Sequence, residues 1–481
     1  MTKDSAINLS KYKVTDDFPA SLEMVLKGIG EERLVCTQLL RLLPGKRLVC
    51  TAEYLGEKVI AKIFFGPSYV RRWKREIQGV EQIIKSQVLT PEIIAMIHEE
   101  EQDFALVLFK YIEQSKTLDE CWQEATSNDG KVAVLKQALS IIAKLHDAAV
   151  YQKDIHLDNF LKTSDKVYLI DGDQVAQEKN ARALSTKFTI DNLAMFFTQI
   201  YAWQVIWIEE LLEYYLSLRE SPHSDVTLKA IKKKLKKHRE WREKKYIEKK
   251  VFRSCTEFDV IKNWKTFCVF SRELKDENVK GFINAPDGFI KRGEILKSGR
   301  TATVAKIQLA GKTYVVKRYN KKNNVHRLFR SLKESRAALS WRNGHLLQFN
   351  GIPTALPILL LEQRYGRLRW GSYVITEYIE GMHLFSYLRS GFDLDEMKMM
   401  ELNVKEIVER LHQSEFIHGD LKPQNIWITE KQPILIDLDG MKKVTNKYEQ
   451  QVRIQEDWVR LQKGVVRKGI VSSILNDVVK K

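Results

Sequence analysis

The feature that most restricts what this 481-residue chain can fold into is an internal repeat. The stretch FIHGDLKPQNIWI (Phe416 to Ile428) is answered in the first half by VYQKDIHLDNFLK (Val150 to Lys162). Asp154 and Asp420, Asn159 and Asn425, Asp171 and Asp437, and Asp191 and Asp457 all stand 266 positions apart, as do Leu145-His146 and Leu411-His412. Upstream, VIAKIF (Val59 to Phe64) answers YVVKRY (Tyr314 to Tyr319), which sets Lys62 against Lys317. LFKYIE and ITEYIE then close on Glu113 and Glu380. Agreement at so many ordered positions describes a tandem duplication of one unit of roughly 200 residues, the size of an ordinary domain.

The local patterns give that unit an α+β fold with a strand-rich front and a helical back. VIAKIFF and TYVVKRY are β-branched runs, and charged helix-like segments follow them over Val70 to Lys85 and Val325 to Leu347. KVAVLKQALSIIAKLH and MKMMELNVKEIVERLH read as amphipathic helices leading into the two opening stretches. KVYLID and QPILID read as short strands that end on an aspartate. The expected domains are 1–270, with a core over 34–197 and a basic helical segment over 225–253, and 285–481. The junction is placed in mixed polar sequence between Trp264 and Asp287, near a turn signal at Asn284-Ala-Pro-Asp-Gly.

A strand lysine, a helix acid, Asp-x4-Asn in a loop and a strand ending in aspartate together make a set suited to phosphoryl transfer from ATP. That reaction needs charge neutralisation and alignment more than covalent chemistry. Lys62 and Lys317 would hold phosphates, with Glu76 and Glu334 as their helix partners. Asp154 and Asp420 would orient or deprotonate the acceptor hydroxyl. Asn159, Asp171, Asn425 and Asp437 offer the oxygen ligands Mg²⁺ prefers, and Asp173 and Asp439 stand two residues further on. Asp191 and Asp457 are expected to hold the backbone amides of the two loops. His146 and His412 read as core residues beneath the loops, and Trp203, Trp207, Trp341 and Trp370 as packing residues. Of the two remnants of a glycine-rich phosphate loop, around Gly45 and Gly299, only Gly299 is a fair candidate.

Lys+Arg exceed Asp+Glu by 79 − 62 = 17, which favours an anionic partner. Leu228 to Arg253 carries thirteen Lys/Arg against three Glu and reads as a solvated helix, or one that rests on an anionic membrane surface. No apolar run approaches the ~18–20 residues of a membrane-spanning helix. The N-terminal residues lack a signal peptide's apolar core, so a cytoplasmic protein is expected. Five scattered cysteines suit reduced thiols.

HGDLKPQN followed by LIDLDG resembles the protein-kinase-like fold. SGRTATVAKI, VVKRYNKKN, SRAALSWRNGHLL, GIPTALPI and YVITEYIEG look like its lipopolysaccharide core kinase family, which phosphorylates heptose or 3-deoxy-octulosonic acid (Kdo). The resemblance covers Lys291 to Leu461 well and Leu34 to Phe197 more loosely. It implies ATP and Mg²⁺, with Lys317 and Glu334 on the phosphates, Asp420 as base, Asn425 and Asp437 on magnesium, and a hinge over Glu377 to Ile379 that binds adenine. Lys422 is matched in the first copy by His156, and Gln152-Lys153 replace His-Gly. These changes suit an altered substrate as well as decay.

The function expected is a kinase acting on a sugar hydroxyl of the lipopolysaccharide inner core, peripheral on the cytoplasmic face of the inner membrane. A protein serine/threonine kinase is the alternative, favoured by Lys422 and Pro423. Only 44 residues follow Asp437, without an APE-like motif, which counts against a peptide acceptor. A first domain that binds nucleotide without turnover stays open, and a nucleic-acid partner has only the basic helix behind it.

Overall fold

The computed structural model describes residues 9, 19, 21–26, 32–220, 225–320, 333–390 and 393–466. Most of the N-terminal segment, and residues 325–332 of the expected second helix, lie outside these. The chain divides into two compact units, Met1–Ile200 with Ile206–Arg239, and Tyr201–Val205 with Glu240–Lys481. Each is an α+β unit in which a strand-rich lobe precedes a helical one.

In the first unit, β1 (Leu22–Leu26), β2 (Glu32–Leu43), β3 (Arg47–Tyr54), β4 (Glu57–Phe65), β5 (Ile93–Glu99) and β6 (Phe104–Lys110) form an antiparallel sheet in the order β1-β2-β3-β4-β6-β5. Alternation along β4 sends Val59, Ala61 and Ile63 into a core shared with Leu34, Leu48 and Leu106. The opposite face carries Ile60, Lys62 and Phe64, and Ile60 and Phe64 pack with Val80, Trp73 and Ile77 of α1 (Tyr69–Lys85). Lys62 is therefore delivered to the α1 side of the sheet. Because Val49 pairs with Lys62 and Arg47 with Phe64, Arg47 reaches the same side.

Behind the sheet lie α2 (Asn128–Asp147), capped by the Ser127 hydroxyl accepting from the Gly130 N–H at 3.0 Å, α3 (Thr186–Phe196) and α4 (Trp207–Leu218). The basic segment forms α5 (Leu228–Tyr246). Ile231 and Leu235 are buried, while Lys229, Lys232, Lys233, Lys237, Lys244 and Lys245 are exposed.

The second unit has β7 (Phe258–Lys262), β8 (Thr266–Ser271), β9 (Glu294–Ser298), β10 (Ala302–Leu309), β11 (Lys312–Tyr319), β12 (Pro357–Tyr365) and β13 (Leu368–Glu377). They run in the order β7-β8-β12-β13-β11-β10-β9. β8 pairs with β12, so residues expected to form the junction are structural members of the second sheet. Cys268 and Phe270 are buried there with Ile307 and Leu361, and that apolar content moves the boundary back to Arg239/Glu240. The helices of this unit include α6 (Arg336–Phe349), α7 (Leu394–Gln413) and α8 (Lys447–Val466). Trp341 on α6 is fully buried and donates from Nε1 to the Val251 carbonyl at 2.9 Å. Trp370, expected to pack, is 53% exposed. All five cysteines are free.

α1 and α6 end alike. Gln87 (φ 54°) and Gly351 (φ 66°) turn left-handed, and the N–H groups of Val88 and Ile352 reach back to the carbonyls of Ile83 and Leu347. Counting back from these ends sets Glu76 against Ser340 and Gly79 against Asn343. In the first unit a Cβ on Gly79 would stand 1.9 Å from the Gly172 carbonyl oxygen, so this glycine permits α1 to touch the loop after Asp171. In the second unit Asn343 makes the equivalent contact by donating to the carbonyls of Leu438 at 2.8 Å and Met441 at 3.1 Å.

Gly79→Ala is expected to lower the stability of the first unit by about 1–3 kcal/mol through overpacking, read as a lower denaturation midpoint. Gly281→Ala is its control. That glycine lies in a helix with nothing within 4 Å of its added methyl, so the midpoint should hold or rise.

Candidate active sites

In the first unit the lysine and the helix acid meet as the sequence suggests. Lys62 Nζ lies 2.6 Å from Glu76 Oε1 and 3.3 Å from Asp171 Oδ1. Glu76 is fully buried and its carboxylate accepts from the N–H groups of Gly172 and Asp173, both at 3.1 Å. Asp171 sits at φ 69°, a left-handed conformation that turns its carboxylate toward Lys62. Burial works to raise its pKa, but the charges of Lys62 and Arg47 outweigh this and hold it at about 2.

Arg47, the last residue of the Leu43-Pro-Gly-Lys-Arg remnant of a glycine-rich loop, is a member of this site that was not among the expected site residues. It is 6% exposed, and its Nη1 lies 3.2 Å from Asp171 Oδ1 and 3.9 Å from both Glu76 Oε2 and Asp173 Oδ2. Arg75 Nε donates to Asp173 Oδ1 at 2.6 Å. Three carboxylates thus face three cations, of which Lys62 and Arg47 are buried and Arg75 is 45% exposed.

The second unit uses a different set. Lys317 pairs with Asp437 and lies 3.7 Å from Asp439, while Arg336 pairs with Asp439. Glu334 is not the lysine's partner, contrary to expectation. It lies just ahead of α6 and pairs with Arg342. The helix position of Glu76 is taken by Ser340, whose hydroxyl meets Tyr319 Oη at 2.6 Å. Burial acts to lower the Lys317 pKa, but the charges of Tyr319, Asp437 and Asp439 reverse the direction and raise it. Asp437, at φ 64°, is held below the usual carboxylate range against the effect of burial, chiefly by Lys317. Burial raises Asp439.

The catalytic-type loops diverge in a correlated way. In the second unit Asp457, fully buried on α8, accepts from the N–H groups of His418 at 2.8 Å and Gly419 at 3.0 Å, as expected of it. Gly419 has φ 78°, and a Cβ there would meet the Gly440 carbonyl at 2.8 Å. In the first unit Asp191 does not play this part. It lies on the surface against Lys234 at 2.7 Å and His238 at 3.0 Å. Asn192 replaces it, its Oδ1 accepting from His146 Nε2 at 2.9 Å and its Nδ2 donating to the Gln152 carbonyl at 2.7 Å. Here a carbonyl, rather than N–H groups, faces the helix side chain, so the loop needs an amide donor and no left-handed glycine. His→Gln, Gly→Lys and Asp→Asn therefore form one structural change. His146 and His412 are buried beneath the loops as expected.

Asp420 lies 2.6 Å from Lys422 Nζ and accepts from Asn425 Nδ2 at 3.1 Å, which fixes its Oδ2. Asp154 is exposed, its carboxylate makes no such contact among the described residues, and His156 turns to Asp158 at 3.3 Å. Asn159 donates to Gln152 Oε1 and the Asp154 carbonyl, both at 2.9 Å. Gly299 lies in the β9–β10 turn, where its carbonyl accepts from Asn320 at 2.7 Å. The N–H and carboxylate of Glu377 are both engaged with Leu356, at 3.0 and 2.8 Å. Glu377 and Ile379 line a cavity of about 450 Å³ that none of Lys317, Asp420 or Asp437 borders.

Magnesium suits the second site better than the first. In both sites the loop asparagine donates through its amide nitrogen, which leaves Oδ1 as a cation ligand. In the first site Arg47 already stands among the carboxylates that a metal would need.

The comparisons with known proteins follow the same division. Residues 57–215 match the family described as lipopolysaccharide kinase (Kdo/WaaP), and residues 290–459 match the protein kinase domain. The sugar-kinase match thus falls on the copy whose resemblance looked looser. A probable serine/threonine protein kinase IRE from Arabidopsis thaliana is 40% identical over 75 residues, which span 15% of this chain and 6% of that protein. A solved structure, WaaP in complex with acyl carrier protein, is similar at 17% identity over 44% of this chain and 88% of that one, with a TM-score of 0.31.

The depressed Asp171 carboxyl stabilises the first unit fully above its ordinary value of 3.8, and that contribution is lost as pH falls toward about 2. The loss should reach about 2 kcal/mol, seen as a denaturation midpoint that drops between pH 5 and pH 2 in wild type and drops less in Asp171→Asn.

Proposed function

We propose that this member of the protein-kinase-like superfamily, a tandem of two kinase-like domains, transfers the γ-phosphoryl group of ATP to a sugar hydroxyl of the lipopolysaccharide inner core. The observations that carry phosphoryl transfer are the Asp420 carboxylate, one oxygen of which Lys422 and Asn425 fix, and the Lys317–Asp437 pair of the same unit. Support for a sugar acceptor comes from the family match of the first domain.

In this reading Lys317 turns from Asp437 to the nucleotide phosphates, and Asp420 orients the acceptor hydroxyl and takes its proton. Asn425, Asp437 and Asp439 would hold magnesium, which when bound neutralises charge on the phosphates. His418 fixes the loop: its Nε2–H donates to the Ile436 carbonyl at 3.1 Å, and burial lowers its pKa so that it stays neutral. The hinge at Glu377 to Ile379 would offer backbone groups to adenine, and the Gly299 turn would cover the phosphates. Among the described residues no helix is long and apolar enough to cross a membrane. We place the protein on the cytoplasmic face of the inner membrane, with the exposed lysines of α5 toward anionic lipid. A protein acceptor is the second reading, favoured by the Lys422–Asp420 contact and by the protein kinase match over 290–459.

The test supplies labelled ATP with dephosphorylated inner-core lipopolysaccharide or with a generic protein acceptor. Transfer to the glycolipid, reduced about 10²–10⁴-fold in Asp420→Ala, is expected. Transfer to protein alone would replace the first reading by the second.

A further inference from the structure

The two sites differ most at one register position. Arg47 on β3 stands opposite Phe64, two residues from the Val49–Lys62 pair, and Ala302 on β10 stands opposite Tyr319, two residues from the Val304–Lys317 pair. The second site thus has a methyl group where the first has a guanidinium. That guanidinium is buried, and one of its nitrogens lies within 3.9 Å of all three carboxylates, Glu76, Asp171 and Asp173.

A divalent ion bound by Asp171 and Asp173 would have to occupy this space. Mg²⁺ takes oxygen ligands at about 2.0–2.1 Å and keeps several of its waters, and there is no room for that shell around Arg47 Nη1. Nor can the guanidinium give way by losing its proton, since it stays charged at any ordinary pH. The second site is also neutral as it stands, with Lys317 and Arg336 on two aspartates, but its outer cation can leave. The side chain of Arg336 is 41% exposed, against 8% for Arg47.

A second observation points outward to a ligand. Arg47 Nε is buried and has no hydrogen-bond partner among the described residues. A buried charged donor without an acceptor is costly, and a phosphate oxygen is the acceptor a guanidinium fits best. Lys62 lies beside it on the same face of the sheet, so a polyphosphate entering this site would meet two fixed cations.

We propose that the first domain binds a nucleoside triphosphate without a divalent cation, with Arg47 standing where the second domain takes its metal. This rests on the reading that both domains are nucleotide sites. It makes the tandem a pair of unequal sites, one metal-dependent and one not, within a single chain.

The test is calorimetric titration of ATP into the full chain, in excess EDTA and in Mg²⁺. Wild type should bind one nucleotide per chain in EDTA and two in Mg²⁺. Arg47→Ala should lose the EDTA site by tenfold or more in affinity, and Ala302→Arg should confer a metal-free site on the second domain. Arg47→Gln, close in length, serves if the alanine variant fails to fold, and the wild-type comparison of EDTA with Mg²⁺ needs no variant. Two sites in Mg²⁺ and none in EDTA would overturn this proposal while leaving the ATP-dependent reading intact. An EDTA site undiminished in the Arg47 variants would also overturn it. No ATP binding in either condition would remove both.

Discussion

The contact between the strand lysine and the strand-end aspartate, Lys62 with Asp171 and Lys317 with Asp437, is the interaction around which each domain is arranged. It ties a sheet residue to a loop more than a hundred positions later. It also holds that aspartate ionised in a half-buried, left-handed conformation that a lone carboxylate would not favour. The other groups of each site are placed by what they must do around this pair. In the first domain the remaining charge is balanced by Glu76, Arg47 and Arg75. In the second, the helix acid is gone and Arg336 takes up Asp439.

The same economy governs the loops. Asp457 can clamp two N–H groups only if the peptide ahead of Asp420 turns them toward it, which demands the left-handed Gly419. Asn192 can instead present a donor, so the first loop shows it a carbonyl and carries Lys153 where glycine is no longer needed. Gln152 then reaches Asn159 and the carbonyls of Ile170 and Asp171, and so supports the loop from the side His418 supports in the other copy. Three substitutions that look like erosion of a motif are one alternative solution to the same hydrogen-bonding requirement.

How far this was legible in the sequence depends on how directly each residue's neighbours follow it in the chain. Asp154, Asn159, Asp171 and their counterparts lie on a short, continuous stretch, so a fixed spacing of 266 finds them. The spacing is not fixed elsewhere: Lys62 and Lys317 are 255 apart, Glu76 and Ser340 are 264 apart, and Asn192 and Asp457 are 265 apart. Helix ends and loops absorb such insertions, which is why sequence spacing points to Glu334 and Asp191 although neither makes the expected contact, whereas Glu76 does pair with Lys62 and Asp457 does hold the loop N–H groups. The second-sheet strands over Phe258–Lys262 and Thr266–Ser271 were hidden by their polar flanks. Arg47 closes a degenerate glycine-rich remnant, Leu43-Pro-Gly-Lys-Arg, but its place in the site comes from pairing across a hairpin with the strand of Lys62, which that motif does not display.

One frame has thus been fitted with two electrostatic solutions, a guanidinium buried among three carboxylates in the first domain and a pair of aspartates met by Lys317 and the partly exposed Arg336 in the second. The most direct measurement of that claim is a crystal of the full chain grown with Mn²⁺ and a non-hydrolysable ATP analogue, with anomalous scattering used to locate the manganese. Anomalous density beside Asn425 and Asp437, with none at Asp171, is the predicted result. Manganese seated between Asp171 and Asp173, with Arg47 swung away, would contradict it.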